Sequence, residues 1–366
     1  MTTVKASFAR GSRNSDWLMP RSSRHGRVSI MKCVALLSVV AVWGIVSCTT
    51  EDRQASSTPA TNAAEPVNEF VPTNVSRVHG GPEIPKGPGW PPSIAILDTG
   101  IDATNSDLNV VDGFNCATDD TEDWQDSNGH GTSLAGVVGA KQDGKGIIGV
   151  APGAELYAIR IFADETLASE ESVLCGLRWV YQNSSHIDVV LTAFNRPDET
   201  AADEANCTSD DLRQMICHLH ESGITVVSAA GNQKTDASVF VPAKLSRVIS
   251  VGAIVDFDGI GGGLGSPTCG PGMDDDIADF SNRGPSVDIY APGVCIQTTR
   301  LKSLRNSVAP SGTSLAAAHA AGAAAIYMAC HVHATPDEVK DALLDSGEMV
   351  LADGMSVPTI AVVSEC

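Results

Sequence analysis

Five short and almost wholly apolar runs, at residues 93–97, 155–162, 187–192, 224–229 and 248–253, recur along this chain. Runs that are apolar at consecutive rather than alternate residues read as strands buried on both faces. Stretches of helical composition lie among and after them, roughly at 130–140, 168–182, 209–222, 313–329 and 336–346. Strands alternating with helices imply an α/β fold with three layers, a mostly parallel central sheet flanked by helices. Composition agrees, because aromatics are only 5% and Gly and Ala abound, which suits close packing of helices on a sheet. In such sheets, chemistry gathers at the carboxyl ends of the strands. Asp98 and Asn232 each follow one of the apolar runs.

The N-terminal part of the chain reads differently from the rest. Met31-Lys32 opens an export signal, a positive start followed by the apolar run 33–46. That run is too short to span a bilayer, which needs about 18 or more apolar residues. It ends in Ile45-Val46-Ser47-Cys48, which resembles a bacterial lipobox and makes Cys48 the expected lipidation site and membrane anchor. An ordinary signal peptide with an incidental cysteine is the alternative. Residues 1–30, rich in Arg and Ser, fit neither, and an upstream start codon assigned in error accounts for them most simply. Residues 49–88 are polar and rich in Pro, Ser, Thr and Ala, and read as a linker.

Charge excludes one class of function. The formal net charge is −20, and beyond the first 47 residues there are 17 Lys/Arg against 43 Asp/Glu. A chain so acidic is repelled by nucleic acid and anionic lipid, so no nucleic-acid partner is expected. Ten cysteines include eight beyond the leader, with no zinc-ligand spacing. An even set in an exported domain reads as up to four disulfides formed in an oxidising compartment. Pairing is not fixed by sequence; Cys269 with Cys295 and Cys330 with Cys366 are guesses.

Amide hydrolysis without a metal needs a nucleophile, a base, a group that orients the base and donors for the oxyanion. Ser314, in Ser311-Gly312-Thr313-Ser314-Leu315-Ala316, opens a long Ala-rich helix, whose N-terminal N–H groups and dipole favour negative charge. His130 sits between glycines at the start of another helix and suits a proton shuttle. Asp98 ends a buried strand, where a carboxylate can hold the imidazole tautomer. Asn232 can donate to an oxyanion together with the Ser314 N–H. Taken singly, Ser314 reads equally as a helix cap, Asp98 and Asn232 as turn residues, and His130 as a loop histidine. Taken jointly, in the order Asp, His, Asn, Ser, they point to a catalytic set.

The segments carrying these residues, AILDTGID (95–102), NGHGTSLAG (128–136) and GTSLAAAHAAG (312–322), resemble the three signatures of the subtilisin-like serine peptidases, or subtilases. The segments at 146–161, 246–254 and 280–299 add to the likeness, which covers about 89–346. The resemblance implies a subtilisin-like fold over 89–366, preceded by a leader (1–47) and an anchor and linker (48–88). It implies a serine endopeptidase acting through an acyl-enzyme on Ser314, monomeric, with a protein or peptide substrate and no cofactor needed for catalysis. Export to the cell envelope or beyond follows from the leader.

Three departures qualify it. The family's Ser-Leu-Gly-Gly, whose backbone pairs with substrate, is here Ala193-Phe194-Asn195-Arg196. Ala193, Phe194 and Asn195, with Gly231, are the implied substrate contacts, and the bulk of Asn195 and Arg196 predicts a narrowed cleft. Ser133 and Ala318 replace a His and a Pro of the motifs, removing no catalytic atom. The roughly 40 residues between Cys48 and the domain are too few for a domain-sized propeptide. Subtilases often hold structural calcium, and Asp107 and Asp143 fall where one such site has oxygen ligands. They read equally as solvated loop acids. The triplet 274–276 and the Gly-rich run 259–265 read as surface loop. Two other functions stay open: an idle peptide-binding protein on this fold, motivated by the altered 193–196 segment, and a processing peptidase with one dedicated substrate.

Overall fold

The computed structural model describes residues 69–163, 168–198, 207, 210–263, 265–301, 309–352, 355–362 and 366. At its centre lie seven strands, in the spatial order β2-β3-β1-β4-β6-β8-β9, every neighbouring pair parallel. They are β1 (Ser93–Asp98), β2 (Val110–Asn115), β3 (Glu155–Arg160), β4 (Val189–Thr192), β6 (Thr225–Ala229), β8 (Val248–Ile254) and β9 (Ile289–Pro292). β1, β4, β6 and β8 are buried at every residue, as their unbroken apolar runs require. The two edge strands escape the apolar-run criterion. β2 is half-solvated and carries Asp112 and Gly113, and β9 is four residues long and ends in a proline. Two-stranded ribbons pair β5 (Arg196–Pro197) with β7 (Phe240–Val241) and β10 (Met349–Ala352) with β11 (Met355–Pro358).

Helices cover both faces. α2 (His130–Gly139), α5 (Thr313–Cys330) and α6 (Pro336–Ser346) share one apolar cluster with the sheet, and α3 (Glu170–Gln182) and α4 (Asp211–Glu221) share the other. α5 is long and apolar enough to cross a membrane, yet 83% of it is buried inside the fold. Its Ala and Gly residues are the reason: with small side chains on every face, it packs against α2, β4, β6, β8 and β9 at once.

The packed region begins by Glu69, not at Gly89 as composition suggests. A short helix, α1 (Thr73–Arg77), places Val75 and the following Val78 in the core, while Asn74 and Arg77 are buried against polar partners. The eight cysteines from Cys116 onward all pair, as Cys116–Cys175, Cys207–Cys217, Cys269–Cys295 and Cys330–Cys366. The last two are the pairs guessed from sequence. The acidic triplet is not the surface loop its composition suggests. Asp274 and Asp275 are 5% and 4% exposed, because the backbone N–H groups of Phe257, Gly262, Gly263 and Gly265 turn inward onto their carboxylates.

Candidate active site

Strands β1, β4 and β6 are neighbours in near register: Leu97 aligns with Thr192, and Thr192 with Ser228. Whatever follows each strand therefore emerges at the same level of one sheet edge. Asp98, the segment from Ala193 and the turn at Gly231–Asn232 are thus brought together. α2 and α5, which pack on each other, both begin at this edge with His130 and Thr313.

Asp98, His130 and Ser314 form one hydrogen-bonded chain. His130 Nδ1 lies 2.8 and 2.9 Å from the two carboxylate oxygens of Asp98, and His130 Nε2 lies 2.9 Å from Ser314 Oγ. A carboxylate only accepts, so Nδ1 carries the ring proton and Nε2 is left to accept from the serine hydroxyl. Asp98, 1% exposed, is held further by the Thr99 N–H at 2.8 Å, while the His130 side chain is 36% exposed and reachable by substrate. Burial alone would lower the His130 pKa, but the Asp98 charge, its hydrogen bond and the Asp126 charge outweigh it and raise the pKa above the ordinary value.

Asp126, which sequence reading passed over, organises this pair from below. Its carboxylate accepts from the N–H groups of Asn128, Gly129 and Thr132 and from the hydroxyls of Thr99 and Thr132. It thereby caps the start of α2 and ties it to the Asp98-Thr99 turn. The available signal was an Asp placed just ahead of a helix start. Ser133, where the family has His, donates back to the Gly129 carbonyl at 2.8 Å and keeps the same turn closed.

Asn232 is oriented by Thr313. The Thr313 N–H and hydroxyl both donate to Asn232 Oδ1 at 2.9 Å, which leaves the Nδ2 donor to face the nucleophile. A methyl group placed on Gly312 would lie 3.2 Å from Ser314 Oγ and 3.5 Å from Asn232 Nδ2. The missing side chain is the space between nucleophile and donor, where a reacting carbonyl fits. Ser314 is the second residue of α5, so its N–H is among the helix's unpaired donors. Buried Asn282 secures the loop: its Oδ1 accepts from the Gln233 and Thr235 N–H groups, and its Nδ2 donates to the Ala230 carbonyl and Gln233 Oε1. Thr313 and Asn282 also went unremarked in the sequence, since neither residue type signals a role alone.

Next to the donors, Asn195 Nδ2 donates to Gln233 Oε1 at 3.3 Å and lies against Gly231. Gly231 has φ +105°, and a side chain there would meet Asn195, Asn282 and Gln233 within 2.6 Å. Ala193 and Phe194 pack on opposite core clusters, so they offer backbone rather than side chain to the edge. Arg196 turns away to pair with Glu170 at 3.0 Å.

Asp107 and Asp143 lie elsewhere, in loops joined by the Lys141 N–H to the Asp107 carbonyl. Glu69 joins them, accepting from the Asp143 and Gly144 N–H groups at 2.6 Å. A cavity of about 430 Å³, which no triad residue lines, lies against Arg77, His79, Gly259 and Glu348. Cys48 is outside the described residues.

Comparison with known proteins agrees with this geometry. Residues 90–356 match the subtilase family. The chain is 33% identical to Subtilisin E of Bacillus subtilis (strain 168) over 254 residues, 68% of this chain and 58% of that one. It is 33% identical to Subtilisin Savinase of Lederbergia lenta over 259 residues, 70% of this chain and 84% of that one. It thus spans under two thirds of Subtilisin E and most of Savinase. Its fold matches the crystal structure of a cold adapted subtilisin-like serine proteinase, with TM-score 0.64 and 24% identity, over 81% of this chain and 99% of that one. This chain belongs to the subtilase family.

Proposed function

We infer that this chain is a serine endopeptidase, and the observation that carries the reading is the unbroken Asp98–His130–Ser314 hydrogen-bonded chain ending beside Asn232. Ser314 Oγ attacks the substrate carbonyl carbon while its proton passes to His130 Nε2. Asn232 Nδ2–H and the Ser314 N–H donate to the oxyanion that forms. Collapse breaks the C–N bond, the leaving amine takes the proton from Nε2, and an ester on Ser314 remains. Water then attacks the ester with His130 again as base, releasing the acid and restoring the hydroxyl. Asp98 holds the imidazolium through its hydrogen bonds to Nδ1.

A restricted substrate range is the second part of the proposal. Asn195 and Gln233 place hydrogen-bonded side chains beside Gly231, where they limit the bulk a substrate residue can carry. This favours a processing role over broad protein degradation. Structural calcium near Asp107 and Asp143 is the third part. Asp107 Oδ1 is buried without a hydrogen-bond partner, and burial, aided by Asp143 and Glu69 and opposed by the Ile147 N–H and Lys141, pushes its carboxyl up to about 6. A calcium ion there would answer that charge and tie the two loops, supplying no chemistry to the reaction. Four disulfides fit an exported protein. A lipid anchor on Cys48 and a monomeric state complete the proposal, and fatty-acid labelling lost in Cys48→Ser tests the anchor.

The deciding experiment treats the protein, folded in an oxidising compartment, with a fluorophosphonate probe, with Ser314→Ala as control. Labelling of the parent alone supports an activated serine, and cleavage of few casein sites supports the narrow range. A folded parent that does not label overturns the peptidase reading in favour of a peptide-binding protein.

A further inference from the structure

From the acidic loop that follows β8, we infer a calcium site made by Asp256, Asp258 and Asp274, separate from the Asp107 loops and from the catalytic edge. One carboxylate oxygen from each of the three lies within 4.8 Å of the others. Oxygens sharing one calcium ion at its usual ligand distances stand up to about 5 Å apart, so the three are close enough to share one ion.

A cluster of acids is common on surfaces without any ion. Here the second observation is Asp256 itself. The residue is 6% exposed, and its Oδ2 is buried with no hydrogen-bond partner. Its other oxygen is engaged, accepting from the Gly259 N–H at 3.1 Å and facing Arg77 Nε at 3.7 Å. Arg77 is shared, with its remaining nitrogens on Asp275 at 3.2 Å and Glu348 at 2.7 Å. One guanidinium thus faces Asp256, Asp275 and Glu348 while Asp258 and Asp274 add further charge beside them. A carboxylate oxygen buried without donor or cation is costly, and a hard, oxygen-seeking divalent ion removes that cost. Asp258 is solvent-accessible, and Gly259 lines the 430 Å³ cavity, so an ion can reach the loop from solution. The ion's role is to hold the loop that Arg77 joins to α1.

The test is calorimetric titration of Ca²⁺ into the full chain carrying Ser314→Ala, which prevents self-digestion. With Asp107→Asn added, one calcium still binds; adding Asp258→Asn weakens that binding at least tenfold, because charge count sets affinity. Asp258→Glu restores most of it. If Asp107→Asn does not fold, the same loss is read as one fewer ion per chain when Asp258→Asn is made alone. Absence of binding in the Asp107→Asn chain, or binding unchanged by Asp258→Asn, overturns the site and leaves the peptidase reading untouched.

Discussion

The candidate catalytic edge and the acidic loop after β8 both bury aspartates, and they solve the problem in different ways. Asp98 is almost fully buried, yet both of its oxygens are bonded, to the His130 Nδ1–H and the Thr99 N–H. Asp126 accepts five hydrogen bonds. Asp256 is as buried but keeps an oxygen without a partner and relies on an arginine it shares with two other acids. Where N–H donors converge, an ionised carboxylate is fixed in place and can orient a neighbour. Where they fall short, charge from elsewhere has to hold it, and position depends on that charge.

The largest expected effect tests the first half of that contrast. Asp98→Asn should lower kcat by about 10⁴, a magnitude borrowed from other Ser-His-Asp enzymes, because an amide there favours the wrong imidazole tautomer. Its thermal midpoint should stay close to the parent's, since the neighbouring N–H groups keep an oxygen to bond. A large stability loss with little loss of rate would mean that Asp98 is a structural acid. Arg77→Met tests the other half. Removing the shared cation should cost roughly 3–5 kcal/mol in urea unfolding with chelator present, while kcat per folded molecule is unchanged. Added calcium should shrink the loss, and an Arg77→Met protein as stable as the parent would erase the distinction between the two regions.

Legibility in the sequence follows the same division. The motifs of the candidate site are visible in the sequence because chemistry at a strand end needs small residues and particular polar atoms, as in Leu97-Asp98-Thr99-Gly100 and Gly312-Thr313-Ser314. The central strands stood out because burial on both faces leaves an unbroken apolar run. Edge strand β2 did not, since one solvated face admits Asp112. The burial of the acidic triplet is not legible in the sequence because three aspartates near a glycine run have surface composition; only the fold reveals that those glycine N–H groups point inward. Arg77 meets Asp275 across 198 residues, and Asn74 meets His319 across 245, and no local pattern announces such pairs. For the same reason the sequence of α1 has the composition of a linker.

A smaller effect on rate is expected at the oxyanion donor. Asn232→Ala should lower kcat by about 10²–10³ with KM nearly constant, the magnitude known for losing this donor in a subtilisin rather than one derived from this geometry. Thr313→Val, which removes one of the two donors to Asn232 Oδ1, should lower kcat less, since the Thr313 N–H remains. If Asn232→Ala changed KM and spared kcat, the amide would be a ground-state contact and the open space at Gly312 would need another occupant.

The smallest effect joins the two regions through α5. His319, wholly buried, uses Nδ1–H to bond the Leu315 carbonyl at 2.8 Å and Nε2 to accept from Asn74 at 2.9 Å. Asn74 Oδ1 in turn accepts from the Gln297 N–H, so one neutral imidazole links α5, α1 and the strand-β9 side. Burial pushes its pKa down to about 4, only partly opposed by the Leu315 carbonyl. Between about 4 and 6.5 the unfolded chain binds a proton at this position that the folded chain does not, so stability rises with pH across that window. Urea midpoints should therefore fall on acidification from pH 7 to 4.5, by up to about 3 kcal/mol from this group. The proposed base behaves in the opposite sense, because His130 is raised and loses its neutral form already above the ordinary histidine pKa. Activity should accordingly fade first on acidification and stability second. A His319→Gln chain should flatten the stability profile and leave the acid limb of kcat/KM in place; if that limb moved as well, the base would be titrating through the core and not through Asp98 and Asp126.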